Sequence, residues 1–140
     1  MFARDEPARV TILLVDDDVR GTRRIGDMLR EDGYHVEVAF DGATAIARLT
    51  RDPLPDVLVA DVRLPHADGV SVAQYALFRH PDLLLVFVTS YPEAVHRATW
   101  RAPPRVLTKP ISYADLGAAL PEPPARGRRP PPSGGGTEGA

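Results

Sequence analysis

Five apolar runs constrain the fold of this chain more than any other feature, because a segment with a helical pattern follows each of them. The predicted strands cover residues 10–15, 34–40, 56–61, 83–90 and 105–109. The predicted helices cover residues 20–32, 41–49, 70–78, 92–100 and 112–120. Strict alternation of this kind favours right-handed βαβ units. We therefore expect an α/β fold, a parallel five-stranded sheet with helices on both faces.

Composition limits the classes of protein that fit the chain. Its 140 residues suit one domain, and 44% of them are hydrophobic, enough for one packed core. The formal net charge of −2 gives no basic field for nucleic acid, and the absence of cysteine excludes thiol chemistry. The N-terminus does not resemble a secretory signal, and no apolar run is long enough to cross a membrane. These features predict a cytoplasmic protein without a DNA-binding domain.

The composition changes at residue 121, where a segment rich in Pro, Gly and Arg begins. Such a segment has too few apolar side chains to offset the entropy lost on ordering. We therefore predict one domain over residues 8–120 and a disordered tail over residues 121–140.

Polar side chains that suit phosphate chemistry follow several of the predicted strands. They are Asp16, Asp17 and Asp18 after the first strand, Asp61 after the third, Thr89 at the end of the fourth and Lys109 at the end of the fifth. The carboxyl ends of parallel strands meet at one edge of a sheet, where ligands of open α/β sheets bind. These residues are therefore expected to share one crevice.

Carboxylates that share a crevice repel each other unless a cation balances them. Mg²⁺ suits such a place, because it uses one or two carboxylates together with water and phosphate oxygens. Lys109 is the only lysine among 17 basic residues, which suggests a position where a compact ammonium is required. An acid cluster, a hydroxyl and an ammonium describe a site for phosphoryl transfer, in which a carboxylate can serve as the nucleophile.

Four segments, "LLVDDD", "DVRLPHADG", "VTS" and "TKP", stand in an order and at a spacing that resemble the receiver domain of two-component response regulators. The resemblance covers residues 10–120. It implies a flavodoxin-like, doubly wound sheet with the strand order 2-1-3-4-5. It also implies a phosphoprotein that receives a phosphoryl group from a histidine kinase or a histidine phosphotransfer protein. The signal would then pass to a partner protein, or the chain would act as a relay or phosphate sink.

The same resemblance implies roles for individual residues. Asp61 would be the phosphoacceptor, and Thr89 and Lys109 would bind phosphoryl oxygens. Mg²⁺ would be bound by Asp16, Asp17, Asp61 and the backbone carbonyl of Arg63. Lys109 and Pro110 would be joined by a cis peptide bond. Asp18 matches no liganding position, and we predict that it caps the first helix. Self-catalysed phosphorylation and dephosphorylation would be the only reactions, so the chain is not expected to be an enzyme of another kind.

The chain departs from the family pattern around the fifth strand. Val106 stands where the family usually has Phe or Tyr, and the last helix stops early. "FVTSY" resembles the F-A-T-G-Y motif of a subgroup of single-domain receivers, in which Tyr91 would report phosphorylation.

Two other functions fit parts of the pattern. The altered switch region is compatible with a docking scaffold that works without phosphorylation. Asp16, Asp17 and Asp18 also imitate the D-x-D motif of haloacid-dehalogenase-like phosphatases, although the chain has no room for the cap of those enzymes.

Overall fold

The computed structural model describes residues 9–123, and within this range five strands alternate with five helices. The strands are β1 (Thr11–Val15), β2 (His35–Ala39), β3 (Val57–Ala60), β4 (Leu84–Thr89) and β5 (Arg105–Thr108). The helices are α1 (Val19–Glu31), α2 (Gly42–Leu49), α3 (Gly69–Arg79), α4 (Pro92–Arg97) and α5 (Tyr113–Ala118). Every predicted element is present, with bounds that differ by a few residues at most.

All five strands form one parallel sheet in the order β2-β1-β3-β4-β5, which confirms the expected topology. Alternate side chains of each strand enter two separate core clusters, as the pleat of a strand requires. Leu13 and Phe87 lie in the cluster beneath α2, α3 and α4, whereas Ile12 and Val86 lie in the cluster beneath α1 and α5. Both faces of the sheet are therefore buried, which explains why the strands are apolar throughout.

Side-chain caps fix the first turns of four helices. The side chains of Asp18, Asp41, Asp68 and Ser112 each accept a hydrogen bond from a backbone N–H three residues later. Asp18 therefore caps α1, as predicted. In α5, Asp115 completes a reciprocal capping box with Ser112. These caps begin the helices close to the carboxyl ends of the preceding strands, where the site residues lie.

Helix α4 ends three residues before the predicted bound at residue 100. The backbone N–H of Ala98 closes the last turn on the carbonyl of Val95, and residue 98 itself is extended. Trp100 then turns back, so that its indole N–H also donates to the carbonyl of Val95 at 2.9 Å and its ring packs on Phe87 at 5.7 Å between centroids. The large aromatic side chain thus packs against the core from the loop and is not the last residue of the helix.

Helix α5 is shorter than predicted, although Ala119 and Leu120 beyond it are buried in the core. Of the predicted tail, only residues 121–123 are described, and residues 124–140 lie outside the described range. Across residues 9–123, no helix has the length and apolar character needed to cross a membrane.

Candidate functional site

Neighbouring strands bring Asp16 and Asp61 side by side at the carboxyl edge of the sheet. Val15 and Ala60 are paired across β1 and β3, and each is followed directly by one of the two acids. The backbone N–H of Asp61 donates to the carbonyl of Val15 at 3.0 Å, which extends the strand ladder to the acid itself. The sheet register therefore determines the distance between these two carboxylates.

Lys109 joins the two carboxylates. It follows β5, its backbone N–H donates to the carbonyl of Thr89, and its Nζ lies 2.8 Å from Oδ2 of both Asp16 and Asp61. The side chains of Lys109, Asp16 and Asp61 are 31%, 17% and 11% exposed. Burial alone would lower the pKa of Lys109, but the hydrogen bonds and negative charges of both acids outweigh it, and the pKa is raised. The ammonium therefore stays charged and balances two acids.

The second oxygen of Asp61 is held by its own loop. Oδ1 accepts from the backbone N–H of Val62 at 2.6 Å and lies 3.4 Å from the backbone nitrogen of Arg63. The first residue of α3 is hydrogen-bonded to the same loop: the backbone N–H of Gly69 donates to the carbonyl of Val62 at 2.7 Å. A Cβ at residue 69 would lie 1.8 Å from the carbonyl oxygen of Asp61, so only glycine fits there. The Asp61 carboxylate is thus held at both oxygens, at Oδ1 by the backbone of its loop and at Oδ2 by Lys109.

Thr89, Tyr91 and Arg63 form one rim of this site. Thr89 is fully buried, and its hydroxyl oxygen accepts a hydrogen bond from the backbone N–H of Tyr91 at 3.0 Å. The guanidinium of Arg63 lies 3.8 Å from the centroid of the Tyr91 ring, a cation–π contact. This contact links the loop after β3 to the loop after β4.

The other two acids of the triplet have different surroundings. Asp18 caps α1, and its backbone N–H donates to Oδ1 of Asp16 at 3.0 Å, which orients the Asp16 carboxylate. Asp17 is exposed, and the ion pairs of Lys109 are with Asp16 and Asp61 instead. Among the residues that the structure describes, no three His, Cys, Asp or Glu side chains lie close enough together to hold a metal ion. The structure thus joins Asp16 to Asp61 and leaves Asp17 outside the pair.

The comparisons with known proteins agree with this arrangement. Residues 12–121 match the family model for the response regulator receiver domain. The chain belongs to the receiver domain family. It is 35% identical over 107 residues to the response regulator receiver protein CpdR of Brucella abortus, covering 75% of this chain and 88% of that protein. It is 34% identical over 121 residues to the transcriptional regulatory protein TrcR of Mycobacterium tuberculosis, but spans only 46% of its length.

Solved structures show the same fold. A response regulator receiver protein from Sinorhizobium medicae superimposes with a TM-score of 0.71 at 29% identity, covering 79% of this chain and 90% of that one. The receiver domain of the hybrid histidine kinase CckA superimposes with a TM-score of 0.64 at 26% identity, covering 77% and 93%. The flavodoxin-like architecture expected from the sequence is therefore confirmed.

Within this receiver domain, Val106 lies opposite Phe87 in the β4–β5 pair, and Val106 and Trp100 both pack against the core cluster that contains Phe87. The aromatic ring on this part of the sheet thus comes from the loop after α4 and not from β5. The peptide bond between Lys109 and Pro110 is cis, as the family resemblance implies.

Sequence reasoning missed one residue beside the site. Thr22 of α1 is only 3% exposed and lines a cavity next to Asp16 and Asp61. Its spacing from Ile25 and Leu29 is helical and was a sufficient signal that it faces the sheet.

Proposed function

We propose that this receiver domain accepts a phosphoryl group on Asp61 from a histidine kinase or histidine phosphotransfer protein, with Mg²⁺ as cofactor. It would then signal to a partner protein or act as a relay or phosphate sink. The observation that carries the proposal is the ammonium of Lys109, 2.8 Å from one oxygen of Asp16 and one of Asp61. A cation so placed can follow the negative charge from the carboxylate to an incoming phosphoryl oxygen.

The transfer is a displacement at phosphorus. An oxygen of Asp61 forms the new P–O bond while the P–N bond to the donor imidazole breaks, and that electron pair returns to the imidazole nitrogen. The backbone N–H groups after Asp61 hold its other oxygen and so orient the nucleophile. Hydrolysis would follow when water attacks the same phosphorus and releases phosphate and the free Asp61 carboxylate.

The carboxylates suit the proposed metal. Asp16 and Asp61 lie side by side at the sheet edge, each with one oxygen on Lys109, and Mg²⁺ needs only one or two carboxylates because it keeps several waters. Asp17 and the backbone carbonyl of Arg63 would complete the protein ligands. Bound Mg²⁺ would neutralise the charge that develops on the transferred group.

Two groups on the rim could respond to the new charge. Within residues 9–123 the hydroxyl of Thr89 only accepts a hydrogen bond, from the backbone N–H of Tyr91, so its proton is available for a phosphoryl oxygen. The guanidinium of Arg63 is the cation of the rim, and a phosphoryl group on Asp61 would attract it away from the Tyr91 ring. A shift of Tyr91 would then alter the surface without an aromatic side chain at Val106.

The test is incubation with Mg²⁺ and a small acyl phosphate, followed by intact mass measurement. We expect a labile phosphate adduct that is lost in Asp61→Asn and reduced in Asp16→Asn. Asp68→Asn is the matched control: it changes another acid of the same loop, and asparagine also caps a helix well. An adduct that survives in Asp61→Asn would contradict the assignment of the phosphoacceptor.

The alternatives predict different results. If the chain is a docking scaffold, no phosphate adduct should form with a small donor or with a phosphorylated kinase. Calorimetry should also show no saturable Mg²⁺ binding. A phosphatase of the haloacid-dehalogenase type predicts an adduct that depends on Asp16 and survives in Asp61→Asn. The family assignment and the role of Asp18 as a helix cap give that phosphatase no support.

A further inference from the structure

A groove of about 810 Å³ lies at the amino ends of β4 and β5, at the edge of the sheet opposite the acids of the phosphoacceptor site. Two segments of the chain line it: the end of α3 with the turn that follows, and the loop between α4 and β5. The first segment contributes the apolar side chains of Leu77, Phe78 and Pro81, and the second contributes those of Trp100, Pro103 and Pro104. This apolar surface takes no part in the proposed phosphoryl transfer.

Phe78 is an exposed aromatic side chain beside this groove. It is 80% exposed, whereas Val19 and Tyr91, the other large apolar residues exposed within residues 9–123, are 42% and 36% exposed. The Phe78 ring stacks on Tyr75, one helical turn earlier, with 6.4 Å between the ring centroids. This contact holds the ring in place while most of its surface stays in water. An exposed ring next to an apolar groove is typical of a surface that another protein covers.

The groove carries charges of both signs, one on each of its two segments. Asp82 lies in the turn after α3 and Arg101 in the loop before β5, and within residues 9–123 neither of them forms an ion pair. Arg105, the third charged residue of the lining, donates a hydrogen bond to the carbonyl of Ala119. A surface with an acid on one side and a cation on the other can match a copy of itself turned by a half-turn, because each acid then meets a cation.

Charge disfavours the predicted tail of the chain as the occupant of this groove. The tail carries Arg126, Arg128 and Arg129, three positive charges within four residues. In the groove they would find one carboxylate, that of Asp82, and two arginines. A second copy of the chain instead pairs both Asp82 and Arg101.

We propose that this groove is the interface of a symmetric dimer of the chain. A two-fold axis beside Phe78 brings the ring of each copy onto the groove of the other, next to Trp100, and pairs Asp82 of each copy with Arg101 of the other. An aromatic anchor inside a charged rim is the usual anatomy of a protein interface. Because every contact of an isologous interface occurs twice, association ends at the dimer. The carboxyl edge of the sheet, with Asp61, stays open to a phosphoryl donor in both copies.

The test is sedimentation velocity of the full chain from about 10 µM to about 1 mM, the range in which an interface of modest size associates. Divalent metal and phosphoryl donors are left out, so the result is independent of the proposed phosphoryl transfer. We expect a reversible equilibrium between monomer and dimer, without larger species.

Phe78→Ser tests the aromatic anchor. It should weaken the dimer about thirtyfold, as truncation of a central anchor does, and it leaves the core intact because Phe78 is exposed. The matched control is Val19→Ser, which removes an exposed apolar side chain at the opposite edge of the sheet and should leave the dissociation constant unchanged.

Charge reversals test the paired rim. Asp82→Arg and Arg101→Asp each bring like charges together at two symmetry-related positions, so each variant alone should dimerise about tenfold more weakly. An equimolar mixture of the two variants should associate as strongly as the unchanged protein, because every rim pair of the mixed dimer again joins opposite charges.

Several outcomes would overturn the proposal. One is a chain that stays monomeric at the highest concentration, and another is a series of species larger than the dimer. A third is a dimer that Phe78→Ser weakens no more than Val19→Ser does, because the interface would then lie elsewhere. A fourth is a mixture of the two charge reversals that associates as weakly as each variant alone. If the protein is monomeric and Phe78→Ser shifts the amide NMR signals of residues 126–133, the tail occupies the groove instead.

Discussion

Replacement of Lys109 by methionine isolates the electrostatic balance of the site. Methionine keeps most of the hydrocarbon stem and removes the ammonium, so Asp16 and Asp61 face each other without a cation. Removing one partner of a fully buried ion pair costs about 3–5 kcal/mol. The three side chains here are between 11% and 31% exposed, so water screens part of the repulsion. We expect Lys109→Met to lower the free energy of unfolding by about 2 kcal/mol.

The assay is urea unfolding at pH 7 without divalent metal. For a domain of this size, a loss of about 2 kcal/mol lowers the midpoint by roughly 1 M urea. Asp27→Asn is the control, because it removes an ion pair with Arg30 in which both side chains are well exposed, and it should change stability by less than about 0.5 kcal/mol.

A second substitution shows whether repulsion causes the loss. Asp16→Asn, added to Lys109→Met, removes one of the two facing charges and should restore about 1 kcal/mol. The reasoning is refuted if Lys109→Met is as stable as the unchanged protein. It is equally refuted if the double variant is less stable than Lys109→Met, because relief of repulsion would then be absent.

Three further predictions concern other parts of the fold. Gly69→Ala should lower the free energy of unfolding by at least about 2 kcal/mol in the same urea assay, because its Cβ would lie 1.8 Å from a backbone carbonyl oxygen. The control is Gly117→Ala, which has open space around its Cβ and should be neutral or stabilising by up to about 1 kcal/mol. Burial, and then donation of its hydroxyl to Asp32, the residue after α1, raise the pKa of Tyr113. Its stabilising effect is therefore complete below pH 10 and is lost as pH rises further, and Tyr113→Phe should flatten this alkaline loss in unfolding curves at pH 9 to 11. The Arg63–Tyr91 contact should contribute about 0.5–1 kcal/mol, and a double-mutant cycle with Arg63→Met and Tyr91→Leu that gives no coupling would contradict it.

The order of elements could be predicted from local patterns because each pattern has one physical cause. Fully apolar runs indicate strands buried on both faces, and Asp18, Asp41 and Ser112 stand where helix caps belong. The end of α4 could not be predicted in this way, because Trp100 continues the helical pattern in sequence while its ring packs on Phe87, a contact made only in the folded chain.

The site itself was predicted in part. Strand ends correctly placed Asp16, Asp61 and Lys109 at one edge of the sheet. Reasoning from sequence could not tell that Lys109 bridges both carboxylates or that Asp17 stays outside, because those facts depend on side-chain rotamers. The metal ligands and the roles of Thr89 and Tyr91 in signalling stay predictions.

The position of Lys109 has a practical consequence for handling the protein. It is the only side-chain amine of the chain, and it lies between two carboxylates in the site. Acylation of Lys109 would neutralise the cation of the site, and its raised pKa and two ion pairs make it a slow target for amine coupling to sensor surfaces or for lysine cross-linkers. Immobilisation for kinase-binding measurements should instead use a cysteine introduced on an exposed surface, since the chain contains none of its own.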